Sequence, residues 1–161
     1  MSFQVWMKTH ASLFQLTSEI QQLLSLPSFT QEASEGEPYC QFEMFGMQVF
    51  IHRTDEEERD PEVGDFPYRL DLQMAFTEHT LDTDTLEYDL QPYYAQLLAF
   101  HLDIDTAYHE KHKVGPHWQI HYRYCHKNPR WTGSLLFGET GWEPAIIVTP
   151  PTPWRTVRPM P

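Results

Sequence analysis

The sequence predicts an α+β fold, in which a mostly antiparallel sheet of five to six strands carries two helices on one face. Three observations lead to this prediction. Apolar residues recur at helical spacing in two segments, they alternate with polar residues in several others, and short turns separate neighbouring alternating segments. Such short turns favour antiparallel pairing of the strands that they connect.

The first predicted helix follows Ser12. Ser12 and Gln15 have the spacing of a capping box, with Thr9 as an alternative cap. Pro27 predicts that the helix ends near Leu26. One face of this helix is apolar and the other is polar, which is typical of a helix packed on a sheet. The apolar face consists of Leu13, Phe14, Leu16, Ile20, Leu23 and Leu24.

The clearest strands lie within residues 39–76, where apolar and polar residues alternate before Gly46, after it, and strictly over residues 68–76. A polar connector is predicted at residues 28–38. Alternation also predicts a strand over residues 117–125. Shorter strands are predicted at 104–108, 133–137 and 144–149, with a turn over Lys111 to Gly115.

The second helix is predicted to begin at Pro92, which suits a first helical turn, and to end near Leu102. Residues 77–91 are polar and acidic, and they predict a solvated loop. A calcium loop is excluded because the glycine and glutamate positions of the EF-hand pattern are not met.

The length of 161 residues indicates one domain, predicted to cover residues 1–149 and to precede a proline-rich tail at residues 150–161. Five prolines in that tail exclude a helix or a central strand, so it either packs along the surface through Trp154 and Val157 or stays loose. Neither a transmembrane run nor a signal peptide is expected.

Two widely spaced cysteines, Cys40 and Cys125, are predicted to be small buried apolar residues and not a disulfide. A cytoplasmic location is therefore expected. The chain has 23 acidic and 11 basic residues, a net charge of −12. This charge excludes nucleic acid and anionic membranes as partners, and it favours a basic protein partner. The alternative interpretation is that the net charge only keeps the protein soluble.

Residues 55–65 contain seven carboxylates, which repel one another and contribute nothing obvious to folding. This segment is therefore the candidate binding site for a basic partner, with a solvated loop as the alternative. An apolar anchor inside the charged rim is predicted at Phe66, beside Val63 and Tyr68. The candidate binding residues are Asp55, Glu56, Glu57, Glu58, Asp60, Glu62, Asp65 and Phe66.

Histidines supply the alternative site, in which His109, His117 and His121 would hold zinc or iron. Their spacing matches no established metal-binding motif, and side chains of the strand 117–125 that face solvent are the simpler interpretation. No nucleophile elbow and no glycine-rich phosphate loop is present. The sequence thus predicts no cofactor and no catalytic residue.

Taken together, these features predict a non-enzymatic acidic module that binds other proteins. Small size, acidity and an α+β pattern make the chain similar to bacterial immunity and inhibitor proteins, which neutralise a basic toxin or enzyme. That resemblance implies a basic protein partner. The alternatives are a metal-dependent enzyme that uses the histidines, and a structural subunit that docks through its proline-rich tail.

Overall fold

A computed structural model of the chain describes residues 3–34, 37–74, 83–130, 145–148 and 154–157. The α+β class with a mostly antiparallel sheet and two helices is confirmed, but these residues form nine strands instead of five to six. The strands are β1 (Phe3–Lys8), β2 (Thr30–Ser34), β3 (Glu37–Met44), β4 (Met47–Arg53), β5 (Tyr68–Met74), β6 (Asp105–Val114), β7 (His117–Lys127), β8 (Ala145–Val148) and β9 (Arg155–Val157), and the helices are α1 (Leu13–Leu24) and α2 (Thr83–Leu102).

The strands form one sheet in the order β2-β3-β4-β5-β1-β6-β7-β8, and every pairing is antiparallel. The strand β9 comes from the predicted tail and pairs with residues 118–120 of β7, while β8 pairs with residues 124–127. Two short strands therefore share one edge of β7. The strand predicted at residues 133–137 lies outside the described residues.

Three strands arise where none was predicted, namely β9 in the tail, β1 and β2. The central strand β1 lies between β5 and β6 and is buried on both faces, with Val5 toward the helices and Trp6 toward the opposite side. The edge strand β2 occupies much of the segment predicted as a polar connector. The prediction of a turn over Lys111 to Gly115 was also wrong, because β6 continues to Val114.

Both helices pack on one face of the sheet, as predicted. Helix α1 begins at Leu13, and its predicted cap is confirmed, since the Ser12 hydroxyl accepts a hydrogen bond from the backbone N–H of Gln15 at 3.2 Å. The core under the helices includes Val5, Met7, Leu16, Ile20, Phe42, Ile51, Leu70, Leu72, Ala95 and Leu98.

Helix α2 begins nine residues before Pro92 (92 − 83 = 9), so the predicted loop at 77–91 and the predicted start of the helix were wrong from Thr83 onward. A proline inside a helix leaves the carbonyl four residues earlier without its usual donor. Here the side-chain amide of Gln91 donates to that carbonyl, on Tyr88, at 3.2 Å. The helix therefore continues through the proline.

The first half of α2 is held on the sheet by polar contacts. Glu87 is buried and accepts a hydrogen bond from the backbone N–H of Met74 at 2.8 Å. Gln91 is also buried and accepts one from the backbone N–H of Gln4 at 3.1 Å. These two side chains satisfy strand N–H groups that the sheet leaves unpaired.

Candidate functional site

The acidic segment forms a loop that leaves β4, covers part of the sheet face opposite the helices, and returns into β5. Val63 and Phe66 are buried in a second apolar cluster with Trp6, Ile120 and Tyr122. The prediction of an exposed apolar anchor at Phe66 was therefore wrong, and the same holds for Val63 and Tyr68. The physical reason is that β1, β6 and β7 are apolar on this face too and need a cover.

Arg59 closes the loop from inside. Its guanidinium donates three hydrogen bonds: to the Thr54 hydroxyl at 2.9 Å, to the Thr54 carbonyl at 2.6 Å and to the Gly64 carbonyl at 2.8 Å. The backbone N–H of Thr54 also donates to the carbonyl of Pro67 at 2.9 Å. Arg59 thus joins the beginning of the loop to its end. Its charged guanidinium is hydrogen-bonded to two backbone carbonyls and one hydroxyl of the loop.

Asp60 and Glu62 are anchors of the loop and are half-buried. The hydroxyl of Tyr122 donates to Asp60 at 2.7 Å, and Arg155 of β9 pairs with Asp60 at 3.2 Å and with Glu62 at 2.9 Å. The hydroxyl of Tyr124 donates to the backbone carbonyl of Glu62 at 2.6 Å. Burial, together with the Asp60 carboxylate, raises the pKa of Tyr122, so its hydroxyl stays protonated and remains a donor.

Asp65 lies at the exposed side of the loop. It pairs with Lys8 at 2.7 Å, and both side chains are largely open to solvent. The hydrogen bond from Lys8 holds the pKa of Asp65 below its usual value. An exposed pair of this kind contributes little to stability, so Asp65 remains accessible to a partner at small cost.

The other four carboxylates, Asp55 to Glu58, form an exposed 3₁₀ turn, which we call the acidic turn. Backbone hydrogen bonds close it, from Glu58 N–H to the Asp55 carbonyl and from Arg59 N–H to the Glu56 carbonyl. The Asp55 side chain makes no capping hydrogen bond. Within the described part of the chain, none of these four side chains forms an ion pair.

The histidines of the alternative site are not brought together. His109 and Tyr122 are partners in the register of β6 with β7, so His121 lies on the opposite face of the sheet from His109. The ring of His121 stacks on Trp154 with centroids 5.1 Å apart, and His117 is exposed at the hairpin tip. Over the residues that the structure describes, no group of three His, Cys, Asp or Glu side chains could hold a metal ion.

His109 is a buried neutral group. Only 1% of it is exposed, and neither ring nitrogen has a hydrogen-bond partner within the described residues. Burial lowers its pKa to about 4; Lys111 adds to this effect and Asp60 opposes it. The ring contacts Tyr88 and Tyr122, with centroids 6.0 Å and 6.2 Å away. At neutral pH this imidazole is therefore uncharged and acts as part of the core.

Sequence reasoning found the acidic turn but missed the side chains that hold the loop in place. Among them are Arg59, Tyr122 and Arg155. Arg59 was detectable, because it is the single basic residue among seven acidic ones in the segment 55–65. Tyr122 and Arg155 were not, since their contacts join positions 62 and 95 residues apart (122 − 60 and 155 − 60).

Comparison with known proteins finds no family model, no curated protein and no solved structure that matches this chain. The fold and the loop define its class as an α+β protein, with two helices on one face of an antiparallel sheet and an acidic loop on part of the other. Among the described residues, neither helix is both long and apolar enough to cross a membrane.

Replacing Arg59 with glutamine should lower the free energy of unfolding by about 2 kcal/mol, because three charge-assisted hydrogen bonds to the loop are lost together. Urea unfolding monitored by tryptophan fluorescence would measure this. Arg53→Gln is the matched control, since Arg53 is exposed at the end of β4 and its guanidinium carbon lies over the Tyr68 ring, 5.7 Å from the ring centroid. Equal losses in both variants would contradict the assigned role of Arg59.

Proposed function

We propose that this chain is a non-enzymatic protein-interaction module whose acidic turn binds a basic surface on a protein partner. One observation carries the proposal. The four carboxylates of the turn are exposed, whereas the conformation of the loop depends on other residues, namely Arg59, Asp60, Glu62, Val63 and Phe66. The charges of the turn are therefore available for binding.

The anchoring of the loop supports binding energetically. Ordering a mobile segment at an interface costs free energy, and a segment that is already held in place avoids most of that cost. Val63 and Phe66 fix the loop on the sheet by apolar burial, and Arg155 fixes it from the edge strand β9. A partner would meet the acidic turn in one conformation.

The charge of the turn supports a basic partner. Four adjacent carboxylates repel one another, and folding alone gains nothing from placing them together. Clusters of one sign speed the encounter with an oppositely charged surface and select against partners of the same charge. The compositional resemblance to immunity and inhibitor proteins points the same way, toward a basic toxin or enzyme as the partner.

We further propose that the protein acts in the cytoplasm. Cys40 and Cys125 are both free and buried. They lie on β3 and β7 with four strands between them, so they are far too distant to form a disulfide within the chain. Free buried thiols are typical of proteins that reside in a reducing compartment.

Neutralising the acidic turn with Asp55→Asn, Glu56→Gln, Glu57→Gln and Glu58→Gln should leave the free energy of unfolding unchanged or slightly higher, because like-charge repulsion is relieved. Binding of the partner should slow, and the dependence of its association rate on salt should flatten. Asp60 stays unchanged in this variant, since its carboxylate holds Tyr122 and Arg155.

The control removes the same number of charges elsewhere, at exposed acidic residues distant in sequence from the loop: Glu19→Gln, Glu32→Gln, Asp89→Asn and Asp103→Asn. Proteins captured from the source organism by the wild type are the candidate partners, and each of them is then tested with the neutralised variant and with the control. Their association rates would then be compared at low and physiological salt. If both variants bind such a partner equally well, the acidic turn is only a solvated turn.

The two other functions have less support. A metal-dependent enzyme would need His109 and His121 on the same side of the sheet, and they lie on opposite sides. Docking through the tail would need residues that are free to bind, yet Arg155–Val157 already pair with β7 as the strand β9. We therefore retain the acidic turn as the proposed binding element.

A further inference from the structure

The turn between β3 and β4 contains an aromatic residue in an unfavourable position. Phe45 and Gly46 both have positive φ angles, 50° and 70°, which is the pattern of a type I′ turn. Asparagine, aspartate and glycine are preferred at the first of these positions, and a bulky side chain with left-handed φ is an outlier. The backbone of Phe45 is therefore strained.

The side chain of Phe45 contributes little to the packing of the fold. It is 87% exposed, the highest value among the exposed large apolar residues that the structure describes. Within those residues its ring makes no aromatic contact and has no cation above it. Strain and an exposed apolar ring at one position are typical of residues kept for binding.

An apolar cavity lies directly beside this turn. Its volume is 110 Å³, and its lining includes Met44 and Met47, which pair with each other across the turn, together with Leu72 and Tyr94. An engineered apolar cavity of about 150 Å³ accepts benzene, and methionine side chains adapt easily because they are unbranched and flexible. The present cavity is smaller than that one, so a phenyl ring can enter it only if Met44 and Met47 move aside.

We propose that two copies of this chain associate about a twofold axis, with Phe45 of each copy entering the cavity of the other. A twofold interface requires one surface to carry both complementary features. Here the protruding ring and the cavity share the β3–β4 turn. The exposed Tyr93, whose ring lies 5.2 Å from that of the cavity residue Tyr94, extends the apolar surface.

The size of the contact predicts a weak dimer. A phenylalanine buries about 150–250 Å². Two rings and the cavity rims therefore stay below the roughly 1,000 Å² that a stable interface needs. Dimers should form only at high micromolar concentration and above.

Each copy carries a net charge of −12, so salt should strengthen the dimer by screening repulsion between the copies. Salt should have the opposite effect on binding of the acidic turn to a basic partner. Each of the two proposals can therefore be contradicted without affecting the other.

Sedimentation velocity of the full chain over roughly 10 µM to 1 mM, at about 0.05 M and 0.5 M NaCl, tests the dimer. The wild type should dimerise, more strongly at high salt. Phe45→Asn should weaken dimerisation at least about 30-fold, since it removes a central aromatic anchor. This variant should fold at least as well as the wild type, because asparagine is favoured at that position. Phe14→Gln, at another exposed phenylalanine, should leave the dimer unchanged.

Methyl NMR of the methionines tests the location. The signals of Met44 and Met47 should shift with concentration in the wild type and not in Phe45→Asn. A wild type that is monomeric at about 1 mM, a dimer that survives Phe45→Asn, or a dimer lost equally in Phe14→Gln would each overturn the proposal. Phe45-dependent binding to vesicles of phosphatidylcholine with phosphatidylserine, without dimerisation, would overturn it in favour of a membrane contact.

Discussion

Replacing Leu70 with alanine is expected to lower the free energy of unfolding by about 2–5 kcal/mol, the range for large-to-small changes in a packed core. Leu70 lies on β5 and is buried under the helices. It is flanked by Val5 on β1 and by Ile51 on β4 in the register of the sheet. A cavity at this position would face both neighbouring strands, so the surrounding side chains have little freedom to fill it.

Urea unfolding monitored by circular dichroism would measure the loss, and the slope of the transition should stay unchanged. Gln73→Ala is the matched control on the same strand, because Gln73 is exposed and faces the other side of the sheet. We expect its effect to stay within about 0.5 kcal/mol. A loss at Leu70 no larger than this would mean that β5 does not contribute its apolar face to the main core.

The strands that the sequence predicted best are those with one buried face. Leu70 and Leu72 of β5 are buried, while Arg69 and Asp71, which alternate with them along the strand, form an ion pair on the other face, at 2.8 Å. This arrangement produces the strict alternation that predicted the strand. In β1 both faces are covered, so Val5, Trp6 and Met7 are apolar in succession and no alternation marks the strand.

The first half of α2 was not predicted from the sequence, because the side chains on its buried face are polar. Glu87 and Gln91 are four residues apart and face the sheet, where they bind backbone N–H groups of Met74 and Gln4. Hydrophobic periodicity cannot find a helix whose contacts with the sheet are hydrogen bonds. Pro92 then resembled a helix start, because the side-chain bond that compensates for its missing N–H depends on the folded structure.

The acidic loop was predicted in part. Its position between two paired strands followed from the alternation on either side of it, and the exposure of residues 55–58 agrees with their charge. The burial of Val63 and Phe66 did not follow, because it depends on apolar residues of β1 and β7 that are distant in the sequence. Local composition describes what a loop exposes, and long-range contacts decide what it buries.

Acidification from pH 6.5 to pH 4 is expected to destabilise the protein by about 3 kcal/mol through His109 alone. The pKa of His109 is about 4 in the folded protein, against an ordinary value of 6.5. Between these two values the unfolded state binds a proton that the folded state does not. Stability is therefore fully present above pH 6.5 and falls as the pH is lowered toward 4.

His109→Phe should remove this loss, because phenylalanine does not titrate and the ring packs against Tyr88 and Tyr122. At pH 7 the variant should be more stable by about 1–2 kcal/mol, since two buried ring nitrogens without partners in the described chain are removed. Urea unfolding at several pH values measures both effects.

The control is His101→Gln. Partial burial also lowers the pKa of His101, but most of this side chain is exposed, so its contribution to the acid sensitivity of stability should be small. Undiminished acid sensitivity in His109→Phe would show that other groups control the pH dependence, and a large loss of stability at pH 7 would show that the imidazole nitrogens are hydrogen-bonded in solution.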